Sequence, residues 1–163
     1  MVKYSLLIVS LLITVTAVFS QGKKITNEDI WASRTFSARN VYGVSSMNDG
    51  VHFTTLEHGK EGSSVQKASY NTPNEKKVIV SSSIFKSDLS IEDYQFNLTE
   101  TKVLLSTESE KIYRHSSKSN YYIYDIASKK LTPLTDFSKG KQSLAEFSPT
   151  EDKVAFTRKN NLY

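Results

Sequence analysis

The chain has no cysteine among its 163 residues. This absence excludes disulfides, thiolate metal sites and cysteine nucleophiles for this part of the protein. Other catalytic signatures are also missing: the sequence has no Gly-x-Ser-x-Gly, no His-Glu-x-x-His and no glycine-rich phosphate loop. Residue types alone therefore give no catalytic site.

The chain also lacks a cluster of basic side chains. Lys and Arg outnumber Asp and Glu by 21 to 17, but the excess is spread along the sequence. A nucleic-acid-binding protein normally carries a basic patch or stripe, so we expect no nucleic-acid partner. The three histidines, His52, His58 and His115, are scattered. We therefore expect no metal site and no cofactor.

No apolar run is long enough to span a bilayer, which takes roughly 20 residues. The longest run, residues 6–18, follows a basic start at Lys3, and Val18 and Ser20 provide small residues at the two positions that a signal peptidase reads. This pattern predicts a secretory signal peptide over residues 1–20 that is cleaved after Ser20. The alternative is an uncleaved anchor. A secreted or periplasmic protein without cysteines suits a bacterial periplasm.

The next segment, residues 21–43, contains one helix signal. Thr26 can cap a helix start, and Asp29 can reach back to it three residues later. Ile30, Trp31 and Phe36 would then form an apolar stripe on a helix of about two turns. We expect Trp31, the single tryptophan, to pack this lead segment onto the domain that follows.

A short pattern then repeats through the chain. Residues 96–106 align with residues 147–157, 51 positions later, and residues 44–54 form a looser copy. Each copy reads as strand, polar turn, strand. A period near 50 residues with several short strands in each unit is typical of β-propeller blades.

The fold class predicted from this repeat is all-β, with residues 44–163 forming the first two to three blades of a propeller. A closed ring takes roughly 4–8 blades, so we expect this chain to be the opening piece of a larger protein. Without ring closure, the isolated piece should be marginally stable and prone to associate through unpaired strand edges.

The second unit is the most complete of the three. Its predicted strands are Asp93–Asn97, Lys102–Ser106, Asn120–Asp125 and Lys130–Pro133. Thr107–Ser119 lies between the second and third strands as a polar insertion that we expect in this unit alone. Asn97-Leu98-Thr99 is formally a glycosylation sequon, but its place in the repeat favours a turn.

Arg114 lies within this insertion. Its neighbours Tyr113 and His115 could brace the guanidinium, which offers a rigid donor fork suited to carbonyls and carboxylates. On residue types alone, the favoured interpretation is instead a surface ion pair with Glu108 or Glu110.

The sequence around Arg114 resembles a known family. Residues 111–116, Lys-Ile-Tyr-Arg-His-Ser, followed by residues 121–125, Tyr-Tyr-Ile-Tyr-Asp, are similar to the first-blade region of the dipeptidyl peptidase IV family of serine peptidases. The upstream residues 25–31 and 41–50 resemble the start of bacterial secreted members. Phe-Ser-Pro at residues 147–149, with the residues that follow it, resembles the next blade.

The resemblance implies an eight-bladed propeller joined to a C-terminal α/β-hydrolase domain with a Ser-Asp-His triad. Such enzymes release dipeptides from peptides that have proline or alanine as the second residue. Arg114 matches the family's propeller arginine, which hydrogen-bonds the substrate backbone. The hydrolase domain and the paired glutamates of a later blade lie outside this sequence, which also departs from relatives at residues 117–119. Whether the parent forms a homodimer is left open.

Two alternatives to this peptidase stay open. One is a non-enzymatic periplasmic β-propeller that acts as a binding module. The other is a degenerate relative that kept the propeller and lost the triad. The reading frame downstream of residue 163 would separate all three.

Overall fold

A computed structural model describes residues 22, 24–33, 35–37, 43–85, 87–150 and 153–163. The chain divides into two compact units, residues 1–40 and residues 41–163. The predicted signal peptide lies outside the described residues. Within the described ranges, no helix is long and apolar enough to cross a membrane.

The first unit contains helix α1, Asn27–Trp31. The predicted capping box is confirmed: the Asp29 amide donates to Thr26 Oγ1 at 3.2 Å, and the Thr26 amide donates to Asp29 Oδ2 at 3.1 Å. The predicted length is wrong, because the helix has only five residues and Phe36 lies beyond its end. A helix this short gains little from propagation and depends on its cap. The packing of Trp31 onto the second unit stays a prediction.

The second unit consists of three antiparallel sheets, which we call blades 1, 2 and 3. Blade 1 contains β1 (Ser45–Ser46), β2 (His52–Gly59), β3 (Gly62–Ser69) and β4 (Lys77–Ser81). Blade 2 contains β5 (Asp93–Phe96), β6 (Lys102–Tyr113), β7 (Ser116–Asp125) and β8 (Lys130–Pro133). Blade 3 contains β9 (Ser143–Phe147), β10 (Val154–Arg158) and β11 (Asn161–Leu162). In each blade the strands pair in chain order, so the predicted all-β class and repeating meander are confirmed.

The core lies between the blades. Val103, Leu104 and Leu105 are consecutive in β6 and at most 2% exposed, so this strand is buried on both faces. Because side chains alternate along a strand, Val103 and Leu105 join Val65 of blade 1, whereas Leu104 joins Phe156 of blade 3. Burial of each such side chain contributes about 1.5–3 kcal/mol. Blade 2 therefore holds its two neighbours by opposite faces of one strand.

The turn between the first two strands of blade 2 is built by Asn97, which is 2% exposed. Its Oδ1 accepts from the amides of Thr101 at 2.9 Å and Lys102 at 2.7 Å. Its Nδ2 donates to the hydroxyls of Thr99 and Thr101. The turn interpretation of this sequon is thus confirmed, since the amide nitrogen that would carry a glycan is buried and hydrogen-bonded.

Replacing Asn97 by alanine should lower the free energy of unfolding by about 2 kcal/mol, because two backbone amides lose their acceptor. Asn97→Ser should cost about half as much. The corresponding serine of blade 3, Ser148, accepts from the Lys153 amide at 3.2 Å. Hydrogen exchange of the Thr101 and Lys102 amides checks both values. Equal losses for the two variants would contradict the prediction.

Blade 1 builds its corresponding turn with Asp49. Asp49 Oδ1 accepts from the amides of Val51 and His52, each at 2.9 Å, and Gly50 takes a φ of +67°. The hydrogen bonds from these two amides hold the pKa of Asp49 well below its ordinary value. The His52 ring, whose Nδ1 lies 2.6 Å from Oδ2, has a smaller effect in the same direction.

This lowered pKa makes blade 1 sensitive to acid. A carboxyl group with a depressed pKa in the folded state stabilises the fold above its unfolded pKa, and that contribution is lost as the pH falls further. We expect stability to decline below about pH 4, and to decline less steeply in Asp49→Asn, which keeps an acceptor oxygen but cannot titrate. Melting temperatures between pH 7 and pH 2 check this. Glu61→Gln, at an exposed turn of the same blade, should retain the slope of the unsubstituted protein.

Candidate functional site

The feature around Arg114 is an extended β-hairpin. Residues 107–120, the outer part of the β6–β7 hairpin, are here called arm 2. The strands stay paired as far as Tyr113 and Ser116, so Arg114 and His115 form the tip. The predicted strand limits at Ser106 and Asn120 are therefore wrong, because the polar segment between them continues the ladder instead of forming a loop.

Blade 1 has an arm of its own. Residues 57–64, here called arm 1, extend the β2–β3 hairpin to a two-residue turn at Lys60 and Glu61. The expectation that only the second unit carries an extension is thus wrong. In blade 3 the equivalent turn, Lys159 and Asn160, comes directly after the five-residue β10, and both residues have positive φ, as in a type I′ turn.

Both arms lie at the same end of the propeller segment. The opposite end is marked by the turns between the first two strands of blades 1 and 2, which meet where the Asn48 amide donates to Glu100 Oε1 at 2.7 Å. In an antiparallel meander the next connection, between the second and third strands, is at the other end of the sheet. The arms therefore rise side by side from one end of the described propeller.

Arg114 is exposed at the tip of arm 2 and forms no ion pair with any of the described residues. The two acids considered as its partners bind elsewhere. Glu108 accepts from Asn120 Nδ2 at 2.7 Å, and Glu110 pairs with two lysines. Within the described ranges the guanidinium is thus left open to contact a ligand.

Tyr113 and His115 flank Arg114 and are also exposed, Tyr113 by 78%. Over the part of the chain that the structure describes, neither side chain forms a hydrogen bond or a cation–π contact with Arg114. Their role in supporting the arginine stays a prediction. An exposed aromatic ring next to an arginine is a pairing typical of contact surfaces.

The base of arm 2 is fastened on both sides by residues that sequence reasoning missed. On the β6 side, Oε2 of Glu92, the residue that directly precedes β5 of the same blade, accepts from the Ser109 amide at 2.8 Å. On the side of blade 3, the backbones of Ser119 and Gln142 exchange hydrogen bonds at 2.8 and 2.9 Å. Gln142 is fully buried, and nothing in its polar sequence neighbourhood indicated this.

Glu110 is the most connected charge on the arm. Its Oε2 lies 2.8 Å from Lys118 Nζ and its Oε1 lies 2.7 Å from Lys141 Nζ. Hydrogen bonds donated to its carboxylate, of which that from Lys118 has the largest effect and that from Lys141 the next, lower the pKa of Glu110 to about 2. The carboxylate therefore stays charged at any pH at which the fold would be used.

The three histidines lie on separate elements. His52 lies in β2 and pairs with Asp49 of the preceding turn. His58 belongs to arm 1, and His115 belongs to the tip of arm 2. Among the described residues, no group of three or more metal-ligating side chains is brought together.

Known proteins with similar sequences support the resemblance seen around Arg114. Residues 97–163 match the family described as the dipeptidyl peptidase IV (DPP IV) N-terminal region. This range contains all of arm 2.

Two fungal relatives illustrate the extent of the similarity. A probable dipeptidyl-aminopeptidase B of Aspergillus niger is 49% identical over 63 residues, which is 38% of this chain and 7% of that protein. A probable dipeptidyl-aminopeptidase B of Sordaria macrospora is 26% identical over 161 residues, which is 91% of this chain and 17% of that protein. The chain thus spans less than a fifth of the length of these relatives.

A solved structure agrees with this assignment. The crystal structure of dipeptidyl peptidase 4 from Porphyromonas gingivalis superposes with a TM-score of 0.68 at 31% identity, covering 86% of this chain and 20% of that one. The three sheets therefore correspond to part of that enzyme's fold. In both sequence and structure, this chain is similar to the N-terminal propeller region of the dipeptidyl peptidase IV family.

Proposed function

We propose that this chain is the N-terminal propeller segment of a secreted or periplasmic serine exopeptidase that releases Xaa-Pro and Xaa-Ala dipeptides from peptide N-termini. The observation that carries this proposal is an exposed arginine at the tip of a fastened arm, within the range that matches the family. A guanidinium in that position can donate to the backbone carbonyls of an extended peptide.

The proposed role of the segment is to restrict access to short, extended peptides and to orient them. Hydrolysis itself is assigned to a downstream hydrolase domain, because these 163 residues contain no nucleophile elbow. The N-terminal residues 1–20 would direct export and be removed after Ser20, which N-terminal sequencing of the exported protein would test.

The experiment is hydrolysis of Gly-Pro and Ala-Pro reporters by the full-length protein, with and without a serine-directed inhibitor. We expect inhibitor-sensitive release of the dipeptide by the full-length protein and no release by residues 21–163 alone. The same reporters blocked at the free amine should not be cleaved. A downstream frame with further blades and no Gly-x-Ser-x-Gly, together with no hydrolysis, would contradict the proposal and favour a binding module.

A further inference from the structure

Arm 2 is tied to the segment that leads into blade 3 by an ionic brace of Glu110, Lys118 and Lys141. We propose that Glu110 and Lys141 are positioning residues that hold arm 2 so that Arg114 meets the peptide backbone. This inference rests on the proposed function, since it assigns a purpose to the orientation of Arg114.

The brace engages both oxygens of one carboxylate and joins both strands of arm 2 to the segment before β9. Lys141 Nζ donates to Glu110 Oε1 at 2.7 Å and to the carbonyl oxygen of Glu108 at 2.6 Å, while Lys118 occupies the other oxygen of Glu110. The Lys141 side chain is only 21% exposed. A multiply bonded, partly buried ammonium contributes more than an isolated surface pair.

The brace lies where the β6–β7 pairing of the arm is interrupted. The β6–β7 register shifts between Thr107 and Glu110, and Glu108 takes a φ of +52°, which is uncommon for a residue other than glycine. A bulge of this kind interrupts the ladder and bends the strand. The lost pairing is replaced at the same place, because the bulge turns the Glu108 carbonyl toward Lys141.

The outer part of the arm needs such support. Beyond Glu110 the hairpin is only two strands wide, and a second register shift falls between Lys111 and Tyr113. An isolated two-stranded hairpin is marginally stable in water. Arg114 lies four residues beyond Glu110, roughly 13 Å along the strand, so a small tilt at the brace displaces the guanidinium appreciably.

Blade 1 supplies a matched control. Glu57 at the base of arm 1 forms an ion pair with Lys76, and its side chain is 42% exposed, against 52% for Glu110. This pair lies within one blade and does not support the tip that carries Arg114. Glu57→Gln therefore removes the same chemistry without the proposed positioning role.

The test uses the full-length enzyme with four variants, Glu110→Gln, Lys141→Gln, Arg114→Ala and Glu57→Gln, and two readouts. The first is amide hydrogen exchange across residues 111–118, which needs no activity. We expect exchange there to speed up at least about tenfold in Glu110→Gln and Lys141→Gln and to stay unchanged in Glu57→Gln.

The second readout is the steady-state kinetics on an Ala-Pro reporter. Glu110→Gln and Lys141→Gln should each lower kcat/KM by about fivefold, with kcat falling as well as KM rising, while Glu57→Gln changes neither. In an Arg114→Ala background, adding Glu110→Gln should have no further effect. A residue that acts only on overall stability would lower the rate in both backgrounds.

The outcomes separate this inference from the function on which it rests. Unchanged exchange in Glu110→Gln, or faster exchange with unchanged kinetics, would overturn the brace while Arg114→Ala still lowers the rate. Normal kinetics for Arg114→Ala would overturn the proposed role of Arg114 and this inference with it. Faster exchange, a lower rate and no added effect in the double variant would support both.

Discussion

Replacing Arg114 by alanine in the full-length enzyme should lower kcat/KM on an Xaa-Pro substrate by at least about tenfold, or ~1.4 kcal/mol. The guanidinium is exposed at the tip of arm 2 and has no ion pair among the described residues, so the substitution removes no internal contact on which the fold depends. The loss should fall on turnover as well as on affinity, since the contact aligns the scissile bond.

Two further substitutions give this prediction its specificity. Arg114→Lys keeps the charge but replaces the planar fork by a point donor, and should recover only part of the rate. Lys60→Ala removes an exposed cation from the turn of arm 1 and should leave the kinetics unchanged. Unchanged kinetics for Arg114→Ala on an Xaa-Pro substrate would contradict the role proposed for this residue.

The blades could be predicted because burial leaves a pattern in the sequence. Val103, Leu104 and Leu105 are consecutive apolar residues because β6 is covered on both faces. The copy at residues 154–156 also has three apolar residues in succession. The turns were visible for a related reason, since Asp49 and Asn97 bond backbone amides two to five residues further on. Turns of this kind can be predicted because the side chain and the amides that it binds are close together in the sequence.

The arms left no such signal. Thr107–Ser119 is polar on both faces because only the base of the hairpin is covered, so a period of two in hydropathy is missing although the strands are paired. Arg114 was therefore assigned from the family resemblance and not from its neighbours. On residue types alone, pairing with Glu108 or Glu110 was the favoured expectation, but the structure gives those acids other partners.

The brace and the base of the arm could not be predicted at all. Glu110 and Lys141 are 31 positions apart, and they meet because the segment before β9 returns to β7 at the Ser119–Gln142 bridge. Gln142 is buried for the same reason. Contacts that form when a connecting segment returns to a distant strand have no counterpart in local sequence.

Gly62 is the position where a single methyl group should do the most damage to the fold. Its φ is +110°, and a Cβ built on it would lie 2.3 Å from Ser82 Oγ. That hydroxyl accepts from the buried Ser63 amide at 3.1 Å, and Ser63 Oγ in turn accepts from the Ile91 amide at 2.6 Å. Displacing the Ser82 hydroxyl would therefore disturb both hydrogen bonds and, through them, the position of Ile91 in the core between blades 1 and 2.

Gly62→Ala should lower the free energy of unfolding by about 3 kcal/mol, the sum of backbone strain, overpacking and a lost buried hydrogen bond. Gly59→Ala is the matched control on the same hairpin, because its nearest neighbour is the Gly62 carbonyl oxygen at 3.8 Å. It should change stability by no more than about 0.5 kcal/mol. Hydrogen exchange of the β2 and β3 amides measures both losses.

A double variant identifies the cause of the loss at Gly62. Ser82→Ala alone should cost about 1 kcal/mol, since the Ser63 amide loses its acceptor. Adding Gly62→Ala to Ser82→Ala should then cost less than Gly62→Ala does alone, because the clashing hydroxyl is gone and only the strain at positive φ remains. If the two losses simply add, the close approach to Ser82 is not what requires glycine here, and backbone conformation alone sets the requirement.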